Sequence, residues 1–336
     1  KIMIMDEPTS VLTPGEVSDL FSVLKKLSNA GMSILYISHK LEEIRTLCTK
    51  ATIMRRGQVV KKCDPQNIST SKIAEEMVGT SFSSPKKSKF KKGKECLKIN
   101  NLSFKPLDPF GIPIRNLNLK IHHGEILGIG GVAGNGQEEF LSLLSGELKP
   151  SNGSLLFDGL DITKLNVIER RNKGLLTAPE ERLGHAAVPV MTLTENCLIT
   201  AEHRMNLSKK GFIDYESSKK LSDEIIKKLD VRTSGSDALA RSLSGGNLQK
   251  FVIGRELIQK PKIFIVNQPT WGVDAAAASS IRQQILDLAK DGAAVIVISQ
   301  DLDELLEISD VFCALVGGQL SSPENTSELN PSKIGM

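Results

Sequence analysis

Shifted by 261 residues, the sequence matches itself: residues 1–58 lie on residues 262–319 without a gap, and this repeat restricts the possible folds more than any other feature. Pro8 and Thr9 fall on Pro269 and Thr270, Gly31 on Gly292, Ser38 on Ser299 and Gly57 on Gly318. Each copy reads as an apolar strand, a Pro-Thr turn, an amphipathic helix, a glycine, a second apolar strand and a polar turn. The strands IMIM and SILYI of the first copy match IFIV and AVIVI of the second. Continuous apolar strands separated by helices of about a dozen residues indicate a parallel sheet covered on both faces, so the fold class is α/β.

The repeat also predicts domain organisation. Residues 95–261 have no first-copy counterpart, so the chain is expected to open in mid-domain, with one partial and one complete copy. If the second domain starts near Glu95, about 165 further residues would precede Lys1 in the intact protein. The absence of an initiator Met agrees with that expectation. A self-sufficient domain over residues 1–80 would leave the ladder groups of its first strand unpaired. Residues 1–82 therefore read as the closing part of a first domain, 83–94 as a linker, and 95–336 as a second domain with a helical insertion over 190–240. The net charge of +4 comes from 43 basic and 39 acidic residues, with six lysines between 86 and 94. Basic excess confined to one linker argues against a nucleic-acid surface. Five cysteines, odd in number and without metal-ligand spacing, indicate reduced thiols. No apolar run is long enough to span a bilayer and no signal peptide opens the chain, so any membrane role runs through a partner.

Three constellations carry chemistry. The first strand ends in Asp6 and Glu7, at the carboxyl edge of the sheet where α/β proteins bind ligands. In nucleotide hydrolases the first such carboxylate holds Mg²⁺ and the second polarises the attacking water. His39, ending the next strand, adds a polar group at the same edge that can reach a γ-phosphate. In the second domain an apolar strand (126–130) runs into GVAGNG (131–136) and then an apolar-periodic helix, the context of a phosphate-binding loop. Gly131, Gly134, Asn135 and Gly136 supply its backbone, but Gln137 and Glu138 stand where a P-loop demands Lys and then Ser or Thr. An amide there binds phosphate less well than an ammonium and a carboxylate repels it, so this loop is expected to hold nucleotide weakly. Finally, Ser244, Gly245, Gly246 and Asn247 open the helix FVIGRELI and present N–H groups and a hydroxyl suited to a γ-phosphate.

Taken in order, the glycine loop, LSGGNLQK (243–250), DEPTSVLTP and SHKLEE resemble an ABC ATPase with two fused cassettes. The runs DVRTSGSDALARSLSGGN (230–247), QPTWGVD (268–274), SQDLDEL (299–305) and IAEEMVG (73–79) resemble the simple-sugar and nucleoside importer branch, the nucleoside type being the closer. The resemblance covers nearly the whole chain. It implies a P-loop NTPase cassette with a mixed sheet and a helical subdomain, binding ATP and Mg²⁺. It also implies work at the cytoplasmic face of the cell membrane, with transmembrane permease subunits and, indirectly, an extracytoplasmic solute-binding protein. By the family precedent each ATP lies between the P-loop and carboxylates of one cassette and the signature turn of the other. Carried over, this pairs Asp6 (metal), Glu7 and His39 (catalysis) with Ser244–Asn247, their P-loop lying upstream. The second site would use residues 131–138, Asn267, Gln268 and Gln300. Because Asp6, Glu7 and His39 align with Asn267, Gln268 and Gln300, one hydrolytic and one degenerate site are expected. Glu180 takes about the position at which most cassettes carry a metal-sensing Gln. Phe104 reads either as an adenine-stacking residue or as core. Two further readings stay open: a non-catalytic remnant or regulatory fragment, and a soluble ABC protein of translation or DNA repair. The latter calls for a long charged interdomain helix that the short linker does not provide.

Overall fold

The computed structural model describes residues 1–9, 12, 14–38, 40–55, 57–78 and 93–329, so His39 and most of the lysine-rich linker lie outside the described residues. The chain separates into a first unit, mainly residues 1–84, and a second made of 85–273 and 277–334.

In the first unit β1 (Ile2–Asp6), α1 (Pro14–Asn29) and β2 (Ser33–Ile37) form a β-α-β unit in which β1 pairs parallel with β2, Ile2 opposite Ser33 and Asp6 opposite Ile37. The crossover helix buries Leu24, and Phe21 meets Tyr36 edge-to-face at 6.3 Å. Then come α2 (Leu41–Leu47), β3 (Ala51–Arg55), β4 (Gln58–Cys63) and α3 (Thr70–Val78). Strands β3 and β4 form an antiparallel hairpin turning at Gly57, whose φ of +77° suits a residue without Cβ. Ile53 of β3 and Ile73 of α3 are buried, and Lys61 reaches Glu76 at 2.8 Å.

The second unit opens with β5 (Glu95–Phe104), β6 (Ile114–His122), β7 (Ile126–Gly130), α4 (Gln137–Ser145), β8 (Asn152–Phe157), β9 (Leu160–Asp161), α5 (Val167–Lys173) and β10 (Leu175–Ala178). Next are α6 (Leu193–Met205), a small hairpin of β11 (Ser208–Lys209) and β12 (Phe212–Ile213), α7 (Tyr215–Lys228) and α8 (Gly245–Leu257). The chain closes with β13 (Ile263–Asn267), α9 (Ala275–Lys290), β14 (Ala294–Ser299), α10 (Leu302–Ile308), β15 (Val311–Val316), β16 (Gln319–Leu320) and β17 (Glu324–Asn325). The main sheet runs β10-β13-β14-β7-β15-β16, parallel from β10 to β15, while β16 and β17 pair antiparallel with β15. It is a mixed sheet. An antiparallel sheet of order β6-β5-β8-β9 stands beside it.

Every residue of β13 and β14 is buried, as expected of strands covered on both faces. One core cluster holds the sheet face packed on α8 and the insertion helices, including Phe251, Val266 and Ile225. The other lies between the two sheets and α4, including Phe140, Ile265 and Leu155. Within the insertion, Thr192 and Glu195 form a reciprocal capping box that starts α6, and Asp214 caps α7. Buried Glu256 of α8 accepts from Arg255 at 2.8 Å and from Arg171 of α5 at 2.5 Å, while Arg255 also donates to Ala186 O and Asn196 O.

The 261-residue offset recurs in three dimensions. The bounds of β1, α1 and α2 coincide after the shift with those of β13, α9 and α10, and β14 starts where β2 does. The glycines that end the crossover helices, Gly31 and Gly292, are both left-handed at φ +88° and +98°.

Candidate functional site

The glycine loop joins β7 to α4. Gly136, the residue before the helix, has φ +103°, which a Cβ would strain. A Cβ on Gly131 would lie 2.5 Å from Leu315 O. Gln137 turns back on this loop: its Oε1 accepts from Asn135 N–H at 3.0 Å and its Nε2 donates to Val132 O at 2.9 Å. The Asn135 amide also donates to Val132 O and accepts from Gly317 N–H. Gln137 thus uses its hydrogen-bonding groups within the loop, where a P-loop lysine would extend an ammonium toward phosphate.

Beside the loop is a cavity of about 360 Å³ lined by Phe110, Glu138, Glu180, Asn267, Gln268 and Gln300, among others, with Gly131, Gly134, Gly136 and Gln137 on its wall. No Lys, Arg or His lines it among the described residues. Glu180 accepts from Asn267 Nδ2 at 3.4 Å, and its carboxyl is pushed up by burial and then by the charge of Glu138. Asn267 Oδ1 is buried and has no hydrogen-bond partner. The sequence reading missed Phe110 and Ile112 as cleft residues, since nothing local separates them from loop residues. Phe104 packs instead against the core of the antiparallel sheet.

Ser244 sits at the N-cap of α8 with no side-chain capping bond, and Asn247 Nδ2 donates to its Oγ at 2.8 Å. A Cβ on Gly245 would come within 2.7 Å of Arg182 Nη1. Arg182 lies over the Trp271 ring, donates to Trp271 O, and donates through Nε to Gln249 Oε1 at 2.9 Å. Gln249 in turn donates to Gln268 O and Pro269 O, tying the start of α8 to the turn after β13. Residues 244–247 do not line the cavity beside the glycine loop.

In the first unit, Asp6 ends β1 and Glu7 follows at φ +43°, its N–H donating to Ile37 O at 2.9 Å. In the second unit Gln268 takes φ +53° and its N–H donates to Ile298 O at 2.8 Å, so the two turns share one geometry. A second shared feature was not read from the sequence. Thr9 and Ser38 donate to Glu43 at 2.6 and 3.3 Å; Thr270 and Ser299 donate to Glu304 at 2.7 and 2.9 Å. In each unit one carboxylate links the turn that follows one parallel strand to the carboxyl end of its neighbour. Tyr36 adds a third donor to Glu43, and its hydroxyl is pushed upward by burial and then by that carboxylate.

Burial pushes the Glu304 carboxyl up to about 7, against donors Thr270 and Ser299 that favour the ion. In the unfolded chain the group titrates near 4.3. Between these values the folded state binds the extra proton, so this group's contribution is fully present below about pH 4 and is lost as pH rises to about 7. The loss is on the order of 3 kcal/mol. Denaturant unfolding followed from pH 4.5 to 8 should show a downward slope in the native protein that is missing in Glu304→Gln. Parallel profiles would mean that Glu304 is ionised throughout.

The second unit thus has a glycine loop ahead of a helix, a signature-type turn opening α8, and a parallel sheet edge holding both. These define the ABC ATPase cassette fold, and residues 114–271 match the ABC transporter family. Among solved structures, a nucleotide-free ATP-binding cassette from an ABC transporter aligns with a TM-score of 0.58 at 23% identity, covering 72% of this chain and 99% of the other. A dimeric, post-hydrolysis cassette bound to ADP and Pi aligns with a TM-score of 0.59 at 23% identity, covering 68% and 98%.

Sequence relatives are more specific. The chain is 36% identical over 97% of its length to the nucleoside import ATP-binding protein NupA of Lactococcus lactis, of which it spans 65%. It is 33% identical over its whole length to the glucose import ATP-binding protein TsgD13 of Haloferax volcanii, of which it spans 61%. It is 36% identical over 99% of its length to the galactose/methyl galactoside import ATP-binding protein MglA of Sodalis glossinidius, of which it spans 65%. The chain therefore spans less than two thirds of the length of these relatives. Among the described residues, no helix is long and apolar enough to cross a membrane.

Proposed function

We propose that this chain belongs to the ATP-binding component of an importer of nucleosides or simple sugars, with hydrolytic residues in the first unit and a second-unit cleft that no longer hydrolyses ATP. The observation that carries this reading is the pair of like-shaped turns: one ends in Asp6-Glu7, the other in Asn267-Gln268. A strand-end carboxylate suits Mg²⁺, so Asp6 is assigned the metal and Glu7 the attacking water, with His39 at the γ-phosphate. Mg²⁺ would neutralise charge building on the β- and γ-phosphates. Asn267 and Gln268 have neither the charge to hold that ion nor the basicity to activate water. Ser244, Gly245, Gly246 and Asn247 offer phosphate-facing donors at the start of α8.

On this reading residues 1–82 are the C-terminal part of one cassette and 95–336 a second, joined by the 83–94 linker. The insertion over 190–240 faces the cytoplasmic loops of a transmembrane permease, itself fed by an extracytoplasmic solute-binding protein. The assembly would work at the cytoplasmic face of the membrane.

The test is magnesium-dependent phosphate release by the full protein with its permease. Glu7→Gln should lower kcat by about 10²–10⁴-fold with nucleotide affinity retained, because only water activation is lost. Gln268→Ala should change kcat little. Unchanged turnover in Glu7→Gln would place hydrolysis elsewhere and defeat the assignment.

A further inference from the structure

Cys96, His123 and Asp158 come from three separate stretches of the second unit: the start of β5, the turn between β6 and β7, and the turn between β8 and β9. Backbone bonds gather them, Asp158 N–H donating to Cys96 O at 2.8 Å and His123 N–H to Lys94 O at 2.9 Å. The Cys96 sulfur, a His123 ring nitrogen and an Asp158 carboxylate oxygen all lie within 4.8 Å of one another. None of the three lines the cleft beside the glycine loop. We propose that Cys96, His123 and Asp158 form a binding site for a thiophilic divalent cation of the zinc type.

The histidine is oriented for that task. Its Nδ1 lies 3.1 Å from Gly292 O, and a carbonyl can only accept, so Nδ1 carries a hydrogen. The other nitrogen, Nε2, then points at Asp158 Oδ1, 2.7 Å away. A backbone carbonyl holding the far N–H of a ligating imidazole is the usual outer-sphere partner in histidine metal sites. With Nδ1 committed to that carbonyl, Nε2 is the ring nitrogen left to face a cation. The Cys96 side chain is buried and donates to Lys262 O at 4.0 Å, a weak contact. Lys262 Nζ pairs with Asp158 Oδ2 at 3.3 Å, leaving Oδ1 directed at the imidazole.

One sulfur, one nitrogen and one carboxylate oxygen are donor types that zinc takes, whereas Mg²⁺ and Ca²⁺ take oxygen ligands. Burial pushes the thiol up to about 12, so the group is protonated in the metal-free protein. Binding forms the metal–sulfur bond as the S–H bond breaks, and the proton passes to solvent. The thiol proton leaves for each cation bound, so affinity rises with pH.

The probe is Co²⁺ added to the chelator-treated protein, with Zn²⁺ as competitor. One equivalent should bind with a thiolate-to-cobalt charge-transfer absorption that Zn²⁺ abolishes and Mg²⁺ leaves intact. Cys96→Ser should remove that absorption, and His123→Asn, a change at the partly exposed edge, should weaken cobalt binding by at least about tenfold. An absent charge-transfer band would overturn the proposal. So would a band persisting in Cys96→Ser, which would assign it to another cysteine. Should Cys96→Ser not fold, unchanged cobalt affinity in His123→Asn is decisive against the site.

Discussion

Changing Gln137 to Lys and Glu138 to Ser together should tighten binding of magnesium-ATP to the second-unit cleft by up to about 100-fold. A phosphate-facing ammonium is worth about 1.5–3 kcal/mol as a charge-assisted hydrogen bond. Removing a carboxylate from the neighbourhood of a polyphosphate adds about 1 kcal/mol in a partly solvated cleft. Against this stands the loss of the bonds from Gln137 to Asn135 N–H and Val132 O, which hold the loop in its present form. Gains of about 2.5–4 kcal/mol less about 1 kcal/mol for those bonds leave roughly 2–3 kcal/mol, up to about two decades in Kd. Titration with a fluorescent ATP analogue in magnesium measures it, with Glu138→Ser alone giving the smaller, electrostatic part. If the double variant binds no better than the parent, side-chain charge at the loop is not what sets affinity. The amides Asn267 and Gln268, or the remaining carboxylates Glu139 and Glu180, would then be the barrier. Turnover should stay absent even with tight binding, since neither replacement supplies a base.

The largest loss of stability should follow Glu256→Ala. Glu256 is wholly buried, and the carboxylate is shared by Arg255, only 3% exposed, and Arg171. Deleting it leaves the buried Arg255 guanidinium without its counter-ion and the partly buried Arg171 without one of its partners, at a cost of about 3–5 kcal/mol. For a unit of this size that lowers Tm by roughly 10 °C. Glu256→Gln, which keeps the shape and one acceptor, should lose about half as much. Thermal unfolding followed by circular dichroism separates the two variants. A Tm within a degree or so of the parent for Glu256→Ala would mean that solvent reaches the arginines. Because Arg255 also holds Ala186 O and Asn196 O, loosening should begin where α8 meets the helical insertion.

Much of the architecture was legible in the residues because its signals are local. The apolar runs of β13 and β14 announce strands covered on both faces. The order strand, GVAGNG, helix announces a glycine loop running from a strand into a helix, as found between β7 and α4. What escaped was assembled from distant stretches. The Glu43 and Glu304 links each join groups up to 34 residues apart, which no short motif encodes. Phe110 sits in an unpatterned loop and reaches the cleft only through the path of the chain between β5 and β6. The cysteines lack ligand spacing along the sequence, yet Cys96 finds a histidine and an aspartate through strand pairing. The helical insertion was legible as helix and not as packing, because its burial depends on α8.

Glu7 and Gln268 occupy the left-handed region at φ +43° and +53°, which costs a residue with a Cβ about 1–2 kcal/mol. The same kink appears whether the side chain ends in a carboxylate or an amide, so the bend is maintained by the strand ends and their N–H bonds and not by the charge of the side chain. A carboxylate and an amide are nearly the same size, and exchanging one for the other asks nothing new of the backbone. Exchange between carboxylate and amide at such a corner therefore meets no folding penalty that would oppose drift in either direction.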